Sequence, residues 1–288
     1  MKLALGTVQF GLKYGIANQQ GQVPYDETKA ILDHASTIGI DTLDTAIAYG
    51  NSEQRLGEIG VQRWQVVSKL PAIPENCSDI DQWVTNSVKE TLQRLKIKSL
   101  HGLLLHRPQQ LLESGGDRLY DALQQLKHDG LVKKIGVSIY GPEELDALAG
   151  HYHLDLVQAP FNIMDRRLID SGWLSRLADK STELHVRSVF LQGLLLIAPG
   201  DRPGKFNKWT SLWSKWENWI KLTGLTPLQA CLRYALSFSE INKVVIGVDT
   251  LNQLKEILQA ATGPMPQPPK ELQTCDIDLL NPARWDAS

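Results

Sequence analysis

The chain is poor in the features that most quickly announce a function. Its 30 lysines and arginines nearly balance 32 aspartates and glutamates, for a formal charge of -2, so there is no field of one sign to gather nucleic acid or an anionic membrane. The three cysteines, Cys77, Cys231 and Cys275, are scattered and form no C-x-x-C pair. That excludes a disulfide framework and a thiolate metal site, and leaves reduced thiols. Apolar runs are short: the stretch from Val189 to Pro199 is broken by Gln192 and Gly193, well below the ~20 residues a bilayer crossing needs. Gly6 and Gln9 interrupt the N-terminus before the apolar core of a leader can form. The expectation is a cytoplasmic protein that acts on a small molecule, with no metal, nucleic-acid or membrane partner. No G-x-G-x-x-G or G-x-S-x-G occurs, which removes the usual open-sheet dinucleotide fingerprint and the hydrolase elbow. Gly6 to Gly11 imitates part of a phosphate loop, but Leu12 stands where a lysine must follow.

What is present is an alternation. With 42% hydrophobic and 22% charged residues over 288 positions, the chain suits one α/β barrel of ~250 residues plus a tail. Short runs rich in branched residues recur at Leu3 to Val8, Ile40 to Asp44, Gln65 to Leu70, Leu100 to His106, Lys133 to Ser138, Leu154 to Pro160, Leu184 to Phe190 and Lys243 to Gly247. Each is followed by a segment of helical period, which predicts parallel strands joined by helical crossovers. Ser78 is placed to cap a helix whose apolar face runs from Ile80 to Leu95, and Gly130 sits where a left-handed cap belongs. Thr226 with Pro227 reads as N-cap and first turn, and Thr250 with Gln253 has capping-box spacing. Eight such units predict a (β/α)8 TIM barrel as a single domain, 1–288, with a doubly wound open sheet as the alternative. Four prolines between Gly263 and Pro269 end the last helix and start a tail, 262–288, that wraps over the barrel.

In a barrel the strand ends at the C-terminal rim aim side chains into one mouth. On strands two, three and four those ends carry Asp44, Lys69 and His106, and Tyr49 follows Asp44 closely. A tyrosine with pKa near ~10 is a poor acid at neutral pH, but a neighbouring ammonium stabilises its phenolate. Lys69 supplies that ammonium, Asp44 keeps it charged, and His106 orients a substrate oxygen. The set is poised to protonate a carbonyl oxygen, or to accept a hydroxyl proton in reverse.

The string Asp44-Thr45-Ala46-Ile47-Ala48-Tyr49-Gly50-Asn51-Ser52-Glu53, followed by Leu56-Gly57, resembles the signature of the aldo-keto reductases. Val66-Val67-Ser68-Lys69, Leu103-Leu104-Leu105-His106-Arg107-Pro108, Gly136-Val137-Ser138, Gln158 and Asn162 match in order, over a span from Gly6 to about Ala261. The resemblance implies hydride transfer between a nicotinamide cofactor and a carbonyl or alcohol, with Asp44, Tyr49, Lys69 and His106 as catalytic residues. It implies cofactor contacts from Thr7, Ser138, Gln158, Arg187, Ser188, Phe190, Gln192, Gly193, Gly247, Gln253 and Glu256. Ile139 stands where an asparagine is common, and Arg187 replaces the tyrosine that stacks on the nicotinamide, a role a guanidinium plane also fills. The family leans to NADP(H). Here, however, the lysine and arginine that many members place on the 2′-phosphate are absent and Asp249 is negative, which keeps NAD(H) open.

Two other patterns have their own readings. His151-Tyr152-His153 has a metal-ligand spacing but precedes a strand, at the end of a barrel away from the mouth. Trp209, Trp213, Trp216 and Trp219 recur at helical spacing among Lys205, Lys208 and Lys215. They read as an amphipathic helix packing indoles on the barrel, as a stacking surface for single-stranded bases, or as a wall closing over cofactor or lining a sugar pocket. The functional expectation is reduction of an aldehyde or ketone, sugar-derived in the narrower reading, with Tyr49 as general acid. A non-catalytic NADP(H)-sensing subunit and a cofactor-free or metal-dependent barrel hydrolase or lyase are the rivals.

Overall fold

Each short branched run builds a strand because β-branched and leucine side chains fit a pleated surface buried on both faces. In the computed structural model, which describes residues 1–16, 18 and 21–285, these runs form β1 (Leu3–Gly6), β2 (Thr42–Asp44), β3 (Gln65–Leu70), β4 (Leu100–Leu105), β5 (Val132–Ser138), β6 (Leu156–Pro160), β7 (Glu183–Arg187) and β8 (Lys243–Gly247). Sequence neighbours pair in parallel, and β1 also pairs with β8, from Leu3 opposite Val244 to Gly6 opposite Gly247. That last ladder closes the sheet, so the fold is the expected (β/α)8 TIM barrel and not the open sheet. No helix among the described residues is long and apolar enough to cross a membrane.

The barrel has two apolar compartments. A large cluster lies between strands and surrounding helices, while Val67, Leu104 and Leu156 form a small one. These three come from the neighbouring strands β3 and β4 and from β6, which reaches them across the barrel interior. Side chains two positions apart share a strand face, so Lys69, His106 and Gln158 stand one layer above this apolar plug, at the C-terminal mouth. Strand period thus delivers polar residues from three strands to one place.

Several boundaries differ from the sequence reading, for local reasons. β1 stops at Gly6 because the Thr7 N–H and hydroxyl both turn to Asp44 O, at 2.9 and 3.0 Å, and Val8–Gly11 winds into a helical turn. β7 stops at Arg187 because Ser188 takes φ 61°, which no strand tolerates. The helix Ile80–Leu95 is capped by Asp79, whose carboxylate accepts from Gln82 N at 3.1 Å, not by Ser78. Thr226 makes the full capping box with Gln229. Thr250 makes half of one: it accepts from Gln253 N, but the Gln253 carbonyl takes Asp249 N at 2.7 Å.

The tryptophan segment forms the helix Thr210–Thr223, with Trp213, Trp216 and Trp219 buried. Each removes ~150–250 Å² from water, so the packing reading holds. The Trp213 indole donates to Phe206 O at 2.9 Å, and Trp209 donates to Asp276 of the tail at 2.8 Å. Leu272, Leu279 and Trp285 of the tail are buried beside them. His151 to His153 lie between the helix Pro142–Leu148 and β6, at the end opposite the mouth.

Candidate active site

Asp44 is the last residue of β2 and Lys69 the penultimate residue of β3, 4% and 1% exposed. An ammonium so deep needs acceptors on every side. Lys69 Nζ has Asp44 Oδ1 at 2.7 Å, Oδ2 at 2.8 Å and Thr45 O at 2.9 Å. The Tyr49 ring centroid lies 5.0 Å from the same nitrogen. Burial disfavours the lysine's charge, but the Asp44 carboxylate and the Tyr49 phenol outweigh it and push its pKa above the ordinary value. His106 follows β4 and meets Tyr49 edge-on at 6.2 Å. Burial, with the charges of Lys69 and Arg187, pulls its pKa down to about 4, so the imidazole is neutral at pH 7. Gln158 Nε2 donates to Asp44 Oδ1 at 2.6 Å and its carbonyl accepts from Ser138 Oγ at 3.3 Å.

The rest of the signature holds the tyrosine turn in place. Ser52 Oγ lies 2.9 Å from Thr7 Oγ1, 3.0 Å from Thr7 O and 3.2 Å from Thr45 Oγ1. Glu53 is buried and accepts from Ser68 Oγ at 2.7 Å and Arg94 Nε at 2.8 Å. Thr7, Ser52 and Glu53 therefore pin the start of the helix Ser52–Ile59 to β1 and β3. Gly11 packs directly on this turn: a Cβ there would stand 1.8 Å from Tyr49 O. Only glycine permits that approach.

A cavity of about 400 Å³ opens beside Tyr49 and Asp44 and runs along the ends of β1, β7 and β8 to the start of the helix Leu251–Ala260. It is lined by Thr7, Arg187, Ser188, Phe190, Gln192, Gly193, Gly247, Gln253 and Glu256, all expected from the sequence. Ser138 and Gln158 do not line it; they are buried behind Asp44 and bonded to each other. Thr7 meets the cavity, but its polar groups are spent on Asp44 and Ser52. Arg187 meets it with its guanidinium 4.9 Å over the Tyr140 ring and Nη2 donating to Ile139 O at 3.0 Å. The stacking face proposed for a nicotinamide is here turned to Tyr140. None of the tryptophans lines the cavity, which corrects the reading of that helix as a wall of the pocket.

The segment after β7 is unusual in its backbone. Ser188, Leu191 and Gln192 have φ of 61°, 49° and 53°, followed by Gly193 at 91°. Left-handed backbone costs a non-glycine residue ~1–2 kcal/mol and persists only where the surroundings enforce it. Asn162 Nδ2 donates to Ser188 O at 3.1 Å, and Gln192 Nε2 donates to Tyr14 OH at 3.0 Å. Tyr14, Asn18 and Gln9 also line the cavity and were not anticipated. They sit in the connection after β1, where no periodicity marks which residues turn inward. Gln9 Oε1 is buried with no hydrogen-bond partner among the described residues. It lies against Gly247, where a Cβ would meet Gln9 Nε2 at 2.1 Å.

Comparison with known proteins agrees with this layout. The family model described as the aldo/keto reductase family matches residues 2–277. An uncharacterized oxidoreductase of Bacillus subtilis is 25% identical, over 81% of this chain and 82% of its own length. The L-galactose dehydrogenase of Arabidopsis thaliana is also 25% identical, over 90% and 85%, and a D-threo-aldose 1-dehydrogenase from a Pseudomonas species 23%, over 91% and 92%. Among solved structures, the holo form of an aldo-keto reductase from Bacillus halodurans shares the fold with TM-score 0.72 at 19% identity, covering 92% of this chain and 88% of that one.

Proposed function

The chain belongs to the aldo/keto reductase family, and from that premise we propose that it is a nicotinamide-dependent oxidoreductase that interconverts a carbonyl and an alcohol, with Tyr49 as the proton donor. The observation that carries the reading is the Lys69 ammonium, clasped by Asp44 and set beside the Tyr49 ring at the inner end of a long cavity. The cavity suits a dinucleotide in one further respect. Gln9 offers a buried carbonyl without a partner among the described residues, which suits a hydroxyl or amide donor of a ligand. Gly247 lets the Gln9 side chain pack against the backbone there, since a Cβ would meet Nε2 at 2.1 Å. Phe190, Gln192, Gly193, Gln253 and Glu256 would line the bound dinucleotide, and Arg187 and Ser188 its nicotinamide end. When bound, that group supplies the hydride.

The chain's own contribution is proton control. Tyr49 donates its hydroxyl proton to the substrate oxygen, and the phenolate left behind forms beside the Lys69 ammonium, where Coulomb attraction in a dry site is strong. Asp44 keeps Lys69 charged and still, and Gln158, held by Ser138, keeps Asp44 oriented. His106, neutral at pH 7, presents a ring nitrogen to the same oxygen and fixes its direction. Run in reverse, Tyr49 takes the proton of an alcohol. A sugar-derived substrate is the narrower reading. It draws support from two relatives that carry the names of an aldose dehydrogenase and a galactose dehydrogenase, not from the tryptophan helix.

Replacing Tyr49 by Phe tests the assignment. Turnover should fall by ~10²–10⁴-fold, the usual share of a positioned acid, while NADH or NADPH still quenches tryptophan fluorescence. Rates like those of the parent would remove Tyr49 from the chemistry.

A further inference from the structure

Catalysis beside Tyr49 puts the nicotinamide at one end of the cavity, so the other end, at the start of the helix Leu251–Ala260, receives the adenosine ribose. NAD(H) and NADP(H) differ only there, by a 2′-phosphate carrying about -1.5 to -2 charge. A helix N-terminus ordinarily welcomes such an anion through its free N–H groups and dipole. At this one, three of the N–H groups are already taken by side chains. Leu251 N donates to the Glu27 carboxylate at 2.6 Å, and Gln253 N donates to Thr250 Oγ1 at 3.1 Å. Asp249 N is taken by Gln253 Oε1 at 2.7 Å.

The side chains point the same way. Asp249 and Glu256 line this end of the cavity, and the one lysine or arginine among its described lining residues is Arg187, at the far end. A phosphate placed here would meet carboxylates and no cation. A ribose 2′-hydroxyl would meet acceptors it can donate to, the arrangement by which an acidic residue reads that hydroxyl in other dinucleotide sites. Asn18 Nδ2 holds Asp249 Oδ1 at 3.1 Å and leaves the carboxylate further lone pairs. Burial pushes the Asp249 carboxyl pKa up, against the Asn18 bond, so this group gains from another donor and loses from another negative charge.

We infer that this cleft selects NAD(H) over NADP(H), with Asp249 and Glu256 accepting from the adenosine ribose and Glu27 setting a further carboxylate on the first N–H of the helix. The inference rests on the dinucleotide reading above and reverses the family's lean to NADP(H). Titration of the full chain with NADH and with NADPH, followed by tryptophan fluorescence and calorimetry, tests it without turnover. NADH should bind at least about tenfold tighter, since like-charge juxtaposition disfavours a wrong partner strongly. Asp249→Asn, nearly isosteric, should narrow the gap severalfold through tighter NADPH binding. Adding Gln253→Arg to it should narrow the gap further, with the variants' melting curves confirming their fold. Equal affinities, or a preference for NADPH, would overturn the selection and leave the dinucleotide reading standing. Failure of both nucleotides to bind would sink the two together.

Discussion

Two lysine–carboxylate pairs sit at opposite ends of one barrel, and only one adjoins the cavity. At the N-terminal end Glu183 of β7 is ringed by donors: Lys134 of β5, His185 Nε2 at 2.6 Å and His101 Nε2 of β4 at 3.3 Å. Burial pushes the Glu183 carboxyl up, but these three neighbours overcome it and hold it well below the usual carboxylate range. None of the four residues lines the cavity. At the mouth the pairing is reversed in emphasis. One cation is held by Asp44 and a backbone carbonyl, a phenol leans over it, and open space begins at that phenol. The lesson is that an ion pair's chemistry depends on what it leaves unfinished. A carboxylate saturated by donors stabilises a fold, whereas an ammonium beside a proton donor that faces a cavity can drive a reaction.

The contrast breaks most sharply at Lys69. Lys69→Met removes the ammonium and leaves Asp44 buried with Gln158 as its side-chain donor. Turnover should drop ~10²–10³-fold or more and unfolding free energy by about 3–5 kcal/mol, measured by steady-state kinetics and urea titration. Loss of stability with kinetics intact would make the mouth equivalent to the floor. Glu183→Gln is the mirror experiment. Because Lys134 is 36% exposed, the penalty should be smaller, about 1–3 kcal/mol, and the catalytic rate should stay within about twofold of the parent. A large fall in rate at constant stability would show that the floor reaches the chemistry.

Acid gives the mildest test. His106 binds its proton at about pH 4 when folded and near ~6.5 when unfolded. Between those values the unfolded chain holds more protons, so stability falls as pH drops through that window. Glu183, depressed in the fold, adds stability above its ordinary pKa that is lost as pH falls below it. Urea midpoints against pH should therefore decline from pH 6.5 downward, with His106→Gln flattening the upper part and Glu183→Gln the lower. A profile unchanged by His106→Gln would mean that His106 takes up its proton equally in both states.

The barrel was legible because strand runs and helical periods are local signals, repeated along the chain. The cluster at the mouth was legible because Asp44, Lys69 and His106 fall at strand ends and Tyr49 sits in a dense motif. The far wall of the cavity was not. Gln9, Tyr14 and Asn18 come from an aperiodic connection, and Glu27 belongs to the helix Tyr25–Thr37, whose spacing reports only its buried face. Tyr14, Asn18 and Glu27 are placed by hydrogen bonds to residues more than 170 positions away, Gln192, Asp249 and Leu251. His101, His185 and Glu183 escaped for a related reason: each lies in or beside a recognised strand, but nothing local says that three strands will meet over one carboxylate. The tryptophans show the converse, since their conspicuous spacing marks packing, as one of its readings had it, and not a wall of the cavity.

The contact between Gly11 and the Tyr49 carbonyl ties together two connections that the chain makes almost forty residues apart. With no slack at that point, the height of the phenol above the barrel is set by the first connection as firmly as by its own. A change that thickened the backbone at Gly11 would shift the Tyr49 hydroxyl without touching any ionisable group. The site is thus gauged by a steric stop, and its accuracy depends on a residue that has no side chain at all.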